Sequence, residues 1–298
     1  MFALAAEAPP SSGELVEETF DVPGFADFLA VDGETVWTTN DGRVEQWSTK
    51  GKQASVAVPR PCGAMAVAFG SLWVANCKGG DLYRIDVKTA QVQAIISTGI
   101  ANPKGELNVV AADGSIWVPS DASGKVARVD PARNAVAATV SVDPGTFYLA
   151  SGFDAVWAVS SDAQSLQRID PKTNAVTGAA KVGKQPGFLA AGEGAVWVQE
   201  QGDGTVARID PKTVELSGRV KVGKTLIYGD IDVGGGKVWL RTTEDQTFVT
   251  IDPQSLAILT RAGKPTGSGA LRYTPWGVWT TAHDVKTMSL WSATPKKD

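Results

Sequence analysis

Histidine occurs once in the 298 residues, as His283, and cysteine twice, as Cys62 and Cys77. That set is too small for a zinc site built from several thiolates and imidazoles. There is no basic excess: 28 Lys and Arg stand against 32 Asp and Glu, interspersed, for a net charge of -4. Without a basic stripe, nucleic acid is not an expected partner. No apolar run approaches the ~18 residues of a membrane helix, so no membrane span is expected. No Ser-His-Asp arrangement or glycine-rich phosphate loop is visible. The acidic stretch at Asp203 lacks the series of oxygen ligands that a calcium loop needs. No metal site and no cofactor are expected on these grounds.

What the sequence has instead is a repeat. Its clearest copy is Ala195 to Gly223, AVWVQEQGDGTVARIDPKTVELSGRVKVG. Short β-branched runs alternate there with turn residues at Gly202-Asp203-Gly204 and Asp210-Pro211-Lys212-Thr213, which is the hairpin signal. With Phe188 to Ala191 in front, each unit has four strands and no helix. A Val-Trp, Leu-Trp or Ile-Trp step recurs at Trp37, Trp73, Trp117, Trp157, Trp197, Trp239 and Trp279. Asp86, Asp130, Asp170, Asp210 and Asp252 follow five of these at the same distance, and Arg84, Arg128, Arg168 and Arg208 precede four of those by two. A period near 40 with four strands per unit is the signature of a β-propeller blade. The expected fold is all-β, a single seven-bladed propeller of four-stranded antiparallel blades spanning 15–298. Stacked solenoid coils are the weaker alternative.

Blade 1 is expected near Phe28 to Val58, blade 2 from Ala64 to Thr98, blade 3 from Leu107 to Val142 and blade 4 from Phe147 to Val182. Blade 5 follows from Phe188 to Val222 and blade 6 from Asp230 to Ala262. Blade 7 has only three strands, from Ala270 to Trp291. Leu15 to Gly24 looks like a fourth strand with no first three before it. It is expected to complete blade 7 and close the ring, hiding two sheet edges. Residues 1–14 read either as disordered or as the remnant of a signal peptide, since Ala3-Leu4-Ala5 has small-x-small spacing but no charged or long apolar segment precedes it.

The seven tryptophans sit mid-strand at one register position and are expected to be core wedges between blades. Asp-Pro-Lys-Thr is turn chemistry, with the Asp side chain taking nearby N–H groups and Pro fixing φ. The Arg two residues earlier would pair with that Asp or a neighbour's. Seven residues before the Trp, five blades carry Ala30, Ala66, Val110, Ala150 and Ala190, which suit a crowded centre. Blades 6 and 7 carry Asp232 and Arg272, an expected ion pair near the axis. If the blade 2 hairpin turns at Gly70-Ser71, Phe69 faces Leu72 and Cys77 lies opposite Ala64, two residues from Cys62. A Cys62–Cys77 disulfide is then within reach, and it would support a periplasmic or secreted location.

The run Pro-Gly-Phe-Leu-Ala, Gly-Ala-Val-Trp-Val and Val-Ala-Arg-Ile-Asp-Pro-Lys-Thr resembles the blades of virginiamycin B (streptogramin) lyase and of YVTN-type bacterial propellers, over about Leu15 to Trp291. The resemblance implies a seven-bladed ring and, for a lyase, a magnesium-assisted site of histidines and glutamates on one face. Magnesium is implied only if that reaction is retained. The lyase motif has a His between Pro and Gly; here Pro186 and Gly187 are adjacent. Glu200 does match the Glu found three residues after the aromatic of a lyase blade.

Propeller ligands sit over the central channel. Three residues after the Trp, the loops present Asn40, Asn76, Ser120, Ser160, Glu200, Thr242 and Ala282. Nine before it they present Phe28, Ala64, Asn108, Tyr148, Phe188, Asp230 and Ala270. Variation inside a strict repeat is where specificity can be built. The expected ligand-binding residues are Phe28, Asn40, Asn76, Asn108, Tyr148, Phe188, Asp230, Arg241 and Thr242, with Phe28, Tyr148 and Phe188 as an apolar wall. Glu200 and His283 are the acid–base candidates, although a lone loop histidine is more often solvated. Three functions stay open: an exported, monomeric module binding a small polar ligand or protein partner on its loop face; a lyase or hydrolase acting on a cyclic ester or similar metabolite through Glu200 and His283; and a purely structural interaction module.

Overall fold

The computed structural model describes residues 15–120, 122–226 and 228–293. Residues 1–14 and their two readings lie outside them. Seven four-stranded antiparallel sheets make a seven-bladed β-propeller. The first strands of the blades contact one another around the axis: Tyr148–Gly152 with Pro186–Gly192, Pro186–Gly192 with Asp230–Gly234, and so on around the ring. Leu15–Asp21 is the outermost strand of the sheet whose other three strands are Leu271–Thr274, Gly277–Ala282 and Thr287–Ala293. It runs antiparallel to the last of these, with Leu15 facing Ala293 and Asp21 facing Thr287.

The second strands explain why the tryptophan step repeats. Ser71–Asn76, Ala155–Ser160, Ala195–Glu200 and Gly277–Ala282 are buried along their whole length. A strand between two neighbouring sheets is covered on both faces, so alternation gives way to continuous apolar sequence. All seven tryptophans are at most 5% exposed. In five blades the indole N–H donates to the carbonyl five residues back, as from Trp197 to Gly192 at 3.1 Å. Trp37 and Trp279 have no such partner.

The Asp-Pro turns are as their chemistry dictates: Asp210 Oδ1 accepts from the N–H groups of Lys212 (2.7 Å) and Thr213 (3.1 Å). The arginines do something other than pair with those aspartates. Arg84 and Arg128 lie over their own tryptophans and donate to the next blade's turn, Arg84 to Pro131 O at 2.7 Å and Arg128 to Pro171 O at 2.6 Å. With Asp taken by its own turn, the planar guanidinium stacks and reaches across the blade interface. The third and fourth strands shift register at one equivalent step in blades 1 to 6, for example Arg208/Ile209. Such bulges raise the local twist. The sheet of blade 7, whose outer strand comes from the other end of the sequence, has no such shift there.

Cys62 and Cys77 form a disulfide with their Cα atoms 6.0 Å apart. The expected register was two residues off. Ala68 faces Ser71, so the turn is Phe69-Gly70, both left-handed at φ 56° and 69°. That register carries Cys77 toward Cys62 itself. Replacing both cysteines with serine should lower the unfolding free energy by about 3 kcal/mol if the chain-entropy account of a 15-residue loop applies. Urea denaturation of the two proteins measures this, and equal midpoints would show that the hairpin alone holds the segment.

Candidate functional site

Most of the residues three after a tryptophan brace loops; the exception in blade 7 is Ala282. Asn40 Oδ1 accepts from the N–H groups of Phe25 (2.6 Å) and Asp41 (2.8 Å), while its amide nitrogen donates to Pro23 O (3.1 Å). Asn76 Oδ1 accepts from Arg60 N at 3.2 Å. Ser160 donates to Pro144 O and accepts from Ala163 N. Thr242 exchanges hydrogen bonds with Gln246. In blades 1, 2 and 4 the side chain ties the incoming connection to the end of the second strand. The variation at this position reflects different side chains satisfying the backbone of different loops.

Glu200 belongs to that set. It is fully buried and accepts from Gly183 N (2.7 Å), Thr205 Oγ1 (2.5 Å) and Arg219 Nε (2.9 Å). Its lone pairs are committed to structure, and it does not line the cavity that His283 lines. The expected Glu200–His283 acid–base pair is not assembled, because burying an ionised carboxylate requires the donors that hold Glu200 in place.

That cavity, about 770 Å³, lies on the loop face over the axis. Of the expected residues it takes Phe28, Asn40 and His283. Its other walls are Phe25, Asp27, Arg60, Glu106, Tyr228 and Asp284, with Asp41 and Lys104 at the side. His283 stacks on Phe25 with ring centroids 3.9 Å apart, and its Nε2 is 2.8 Å from Ser268 Oγ. Burial pushes the imidazole pKa down, opposed by Asp284. Asp27 is fixed through its backbone: its carbonyl accepts from Thr281 Oγ1 at 2.5 Å and its N–H donates to Thr39 O at 3.1 Å. Burial raises its carboxyl pKa well above the usual range, helped by the charges of Glu106, Asp230 and Asp284. Glu106 Oε2 accepts from the Tyr148 hydroxyl at 3.0 Å. Burial pushes Glu106 up to about 7, against the pull of Tyr148 and Arg60. The Arg60 guanidinium is held by the carbonyls of Asn102 (2.9 Å) and Gly105 (3.2 Å).

Below the cavity, Phe28, Tyr148 and Phe188 meet across the ring, with Phe188 centroids 5.9 Å from Phe28 and 4.7 Å from Tyr148. They come from blades 1, 4 and 5, and of the three only Phe28 lines the cavity. A second cavity of about 370 Å³ lies among the first strands, walled in part by Asn108, Asp230, Asp232 and Arg272. The two cavities share no lining residue. Asn108 joins blades, its Oδ1 accepting from Ala64 N at 2.7 Å. Arg272 pairs with Asp230 at 2.5 Å rather than with Asp232. The Asp232 oxygens accept from the N–H groups of Val233 (2.9 Å) and Tyr273 (2.8 Å).

Arg241 is fully buried, and its donors go to main-chain carbonyls: Thr281 (3.1 Å), Gly267 (2.7 Å), Thr247 (2.9 Å) and Thr242. Burial lowers its pKa to about 10. It straps blade 6 to blade 7 and leaves no donor facing the cavity. Thr242 lines only a small recess beside it. Sequence reasoning missed Asp27, Glu106 and Arg60, which lie in blade connections that vary in length. Gln199 was missed too; it is fully buried with neither amide atom paired. The available signal was charge in an otherwise short, proline-bracketed connection.

No protein-family profile matches the sequence, and no curated protein matches it. Solved structures do. Virginiamycin B lyase from Staphylococcus aureus superposes with a TM-score of 0.80 at 14% identity, over 94% of this chain and 100% of that one. A streptogramin B lyase structure gives 0.79 at 13%, over 94% and 98%. The β-propeller domain of Cps50 (Swd1) from Myceliophteria thermophila gives 0.75 at 14%, over 94% and 100%. At these identities the likeness shows the propeller fold.

Proposed function

We propose that this propeller is an exported, monomeric binding module that takes a small polar ligand in the cavity over its axis. The observation that carries this reading is the cavity itself: about 770 Å³, walled by aromatic rings and by charged groups of both signs. That size and mixture suit a polar organic molecule. The disulfide supports an oxidising compartment, periplasmic or secreted. Phe25, Tyr228 and Val285 are exposed on this face, so a protein partner would dock over the same mouth.

A second reading, a lyase or hydrolase acting on a cyclic ester, is favoured by one observation. Glu106, with a pKa of about 7, lines the same cavity as His283 and replaces Glu200 as the carboxyl acid–base candidate. Among the described residues no three His, Cys, Asp or Glu side chains are grouped to hold a metal ion.

A metabolite library screened by thermal shift tests the binding reading. A bound compound should raise Tm in the intact protein and lose that effect in Phe25→Ala and His283→Asn. Trp276, exposed on a hairpin of the opposite face, supplies the control. A shift lost in Trp276→Ala and kept in the two cavity variants would place the ligand elsewhere.

A further inference from the structure

The enclosed carboxylates of this ring are matched with care, apart from two. Glu45 has Arg43 at 2.7 Å, Lys52 at 3.4 Å and the Trp47 indole at 3.1 Å. Glu200 has Arg219 and Asp230 has Arg272. Asp232 has two backbone N–H groups. Asp27 has none of these: it is part-buried, and among the described residues none donates a hydrogen bond to its carboxylate. It lines the cavity. Glu106, lining the same cavity, has only the Tyr148 hydroxyl. A part-buried carboxylate with no ion-paired cation is costly, and such groups persist where a ligand completes them. Around them lie an apolar ring, Phe28, and the stacked Phe25–His283 pair. Among the described residues no basic group at the mouth forms an ion pair with either carboxylate, and the Arg60 guanidinium donates to carbonyls.

We propose that the cavity takes an organic ammonium ion, with its charged nitrogen against the Asp27 and Glu106 carboxylates and its apolar body against Phe28 and the Phe25–His283 pair. This rests on reading the cavity as the ligand site. Aromatic faces next to paired carboxylates are the general means of holding such a cation. Binding is linked to protons. Glu106 is faced by Tyr148, Asp230 and Arg60, and Asp27 by Glu106, Asp230, Asp284 and Arg241. Burial and like charge raise both carboxyl pKa values, that of Glu106 to about 7, and a cation favours their ionised forms. Ammonium binding therefore releases protons and tightens as pH rises through about 7.

Isothermal titration of the full chain with benzylamine and benzyltrimethylammonium tests this, with benzoate and benzyl alcohol as anionic and neutral controls. Both cations should bind at pH 8, about tenfold more tightly than at pH 6. Asp27→Asn and Glu106→Gln should each weaken them at least tenfold, and Glu106→Gln should flatten the pH dependence. Neither change removes a group that ties strands together, and an unchanged Tm confirms that each variant is folded. If benzoate or benzyl alcohol binds as well as the amines, and Phe25→Ala abolishes it, the ligand-site reading stands and the ammonium assignment falls. The assignment also falls if Asp27→Asn leaves amine affinity unchanged. If none of the four probes binds and the metabolite screen leaves Tm unmoved, both fall.

Discussion

Removing residues 1–24 is expected to lower the unfolding free energy by about 6 kcal/mol and to make the protein aggregate. The deletion takes away the seven-residue strand Leu15–Asp21, with its full antiparallel ladder to Thr287–Ala293. The strand's own faces are largely exposed, so the loss comes mainly from hydrogen bonds and from what the strand covers. Phe20 goes, 5.7 Å from the Trp279 ring, and so does Val22, which is fully buried. Seven residues of ladder at roughly 0.5 kcal/mol each, plus two apolar side chains at roughly 1.5 kcal/mol each, come close to that figure. The edge left open on Thr287–Ala293 is a template for intermolecular pairing. Guanidinium denaturation and size-exclusion chromatography measure both effects. A truncated chain that stays monomeric and melts within a degree of the intact one would show that the first strand does not close the ring.

Arg241→Met is expected to cost about 4 kcal/mol. The substitution keeps the volume and removes the charge. Two terms oppose each other: the guanidinium no longer has to be desolvated, while the carbonyls of Thr281, Gly267, Thr247 and Thr242 lose their donor. Thr247 O keeps the Thr242 N–H at 3.0 Å; the other three, at roughly 1–3 kcal/mol for each unpaired buried carbonyl, outweigh the desolvation saved. Arg241→Lys should recover only part, because one ammonium cannot reach four carbonyls in the guanidinium's plane. Denaturant unfolding gives the free energies. Hydrogen exchange should show the loss concentrated in blades 6 and 7. A penalty under 1 kcal/mol would mean that water satisfies those carbonyls.

The ring was legible because the residues that make it repeat. Trp37 through Trp279 mark one register position, and burial on both faces of the second strand forces the same apolar run into every blade. The site was less legible for the converse reason. Asp27 and Glu106 lie just before the column nine residues ahead of the tryptophan, at positions where the other blades carry uncharged residues, so nothing in the repeat marked them. The columns that do vary, at Asn40, Asn76 and Glu200, vary because each braces a different loop. The Cys62–Cys77 pairing could be read, but its register could not. A two-residue turn at Phe69-Gly70 needs a left-handed phenylalanine, a conformation that sequence reading reserves for Gly, Asn and Asp. Asp232 was placed correctly beside Arg272, yet the guanidinium bridges to Asp230, which like Asp232 also accepts from two backbone N–H groups.

Thr19 and Ser289 face each other with their hydroxyls 3.2 Å apart, although 270 positions separate them in sequence. A ribosome adding roughly 5–20 residues per second makes the earlier one about 15 to 55 s before the later. Throughout that interval the first strand has no partner, while blades 1 to 6 each contain all four of their own strands and can form as they emerge. Contacts this distant in sequence also make for slow assembly even in the finished chain. The last blade therefore sets the pace of maturation, and a polypeptide cut short near its end carries six sheets, one orphan strand and an adhesive edge.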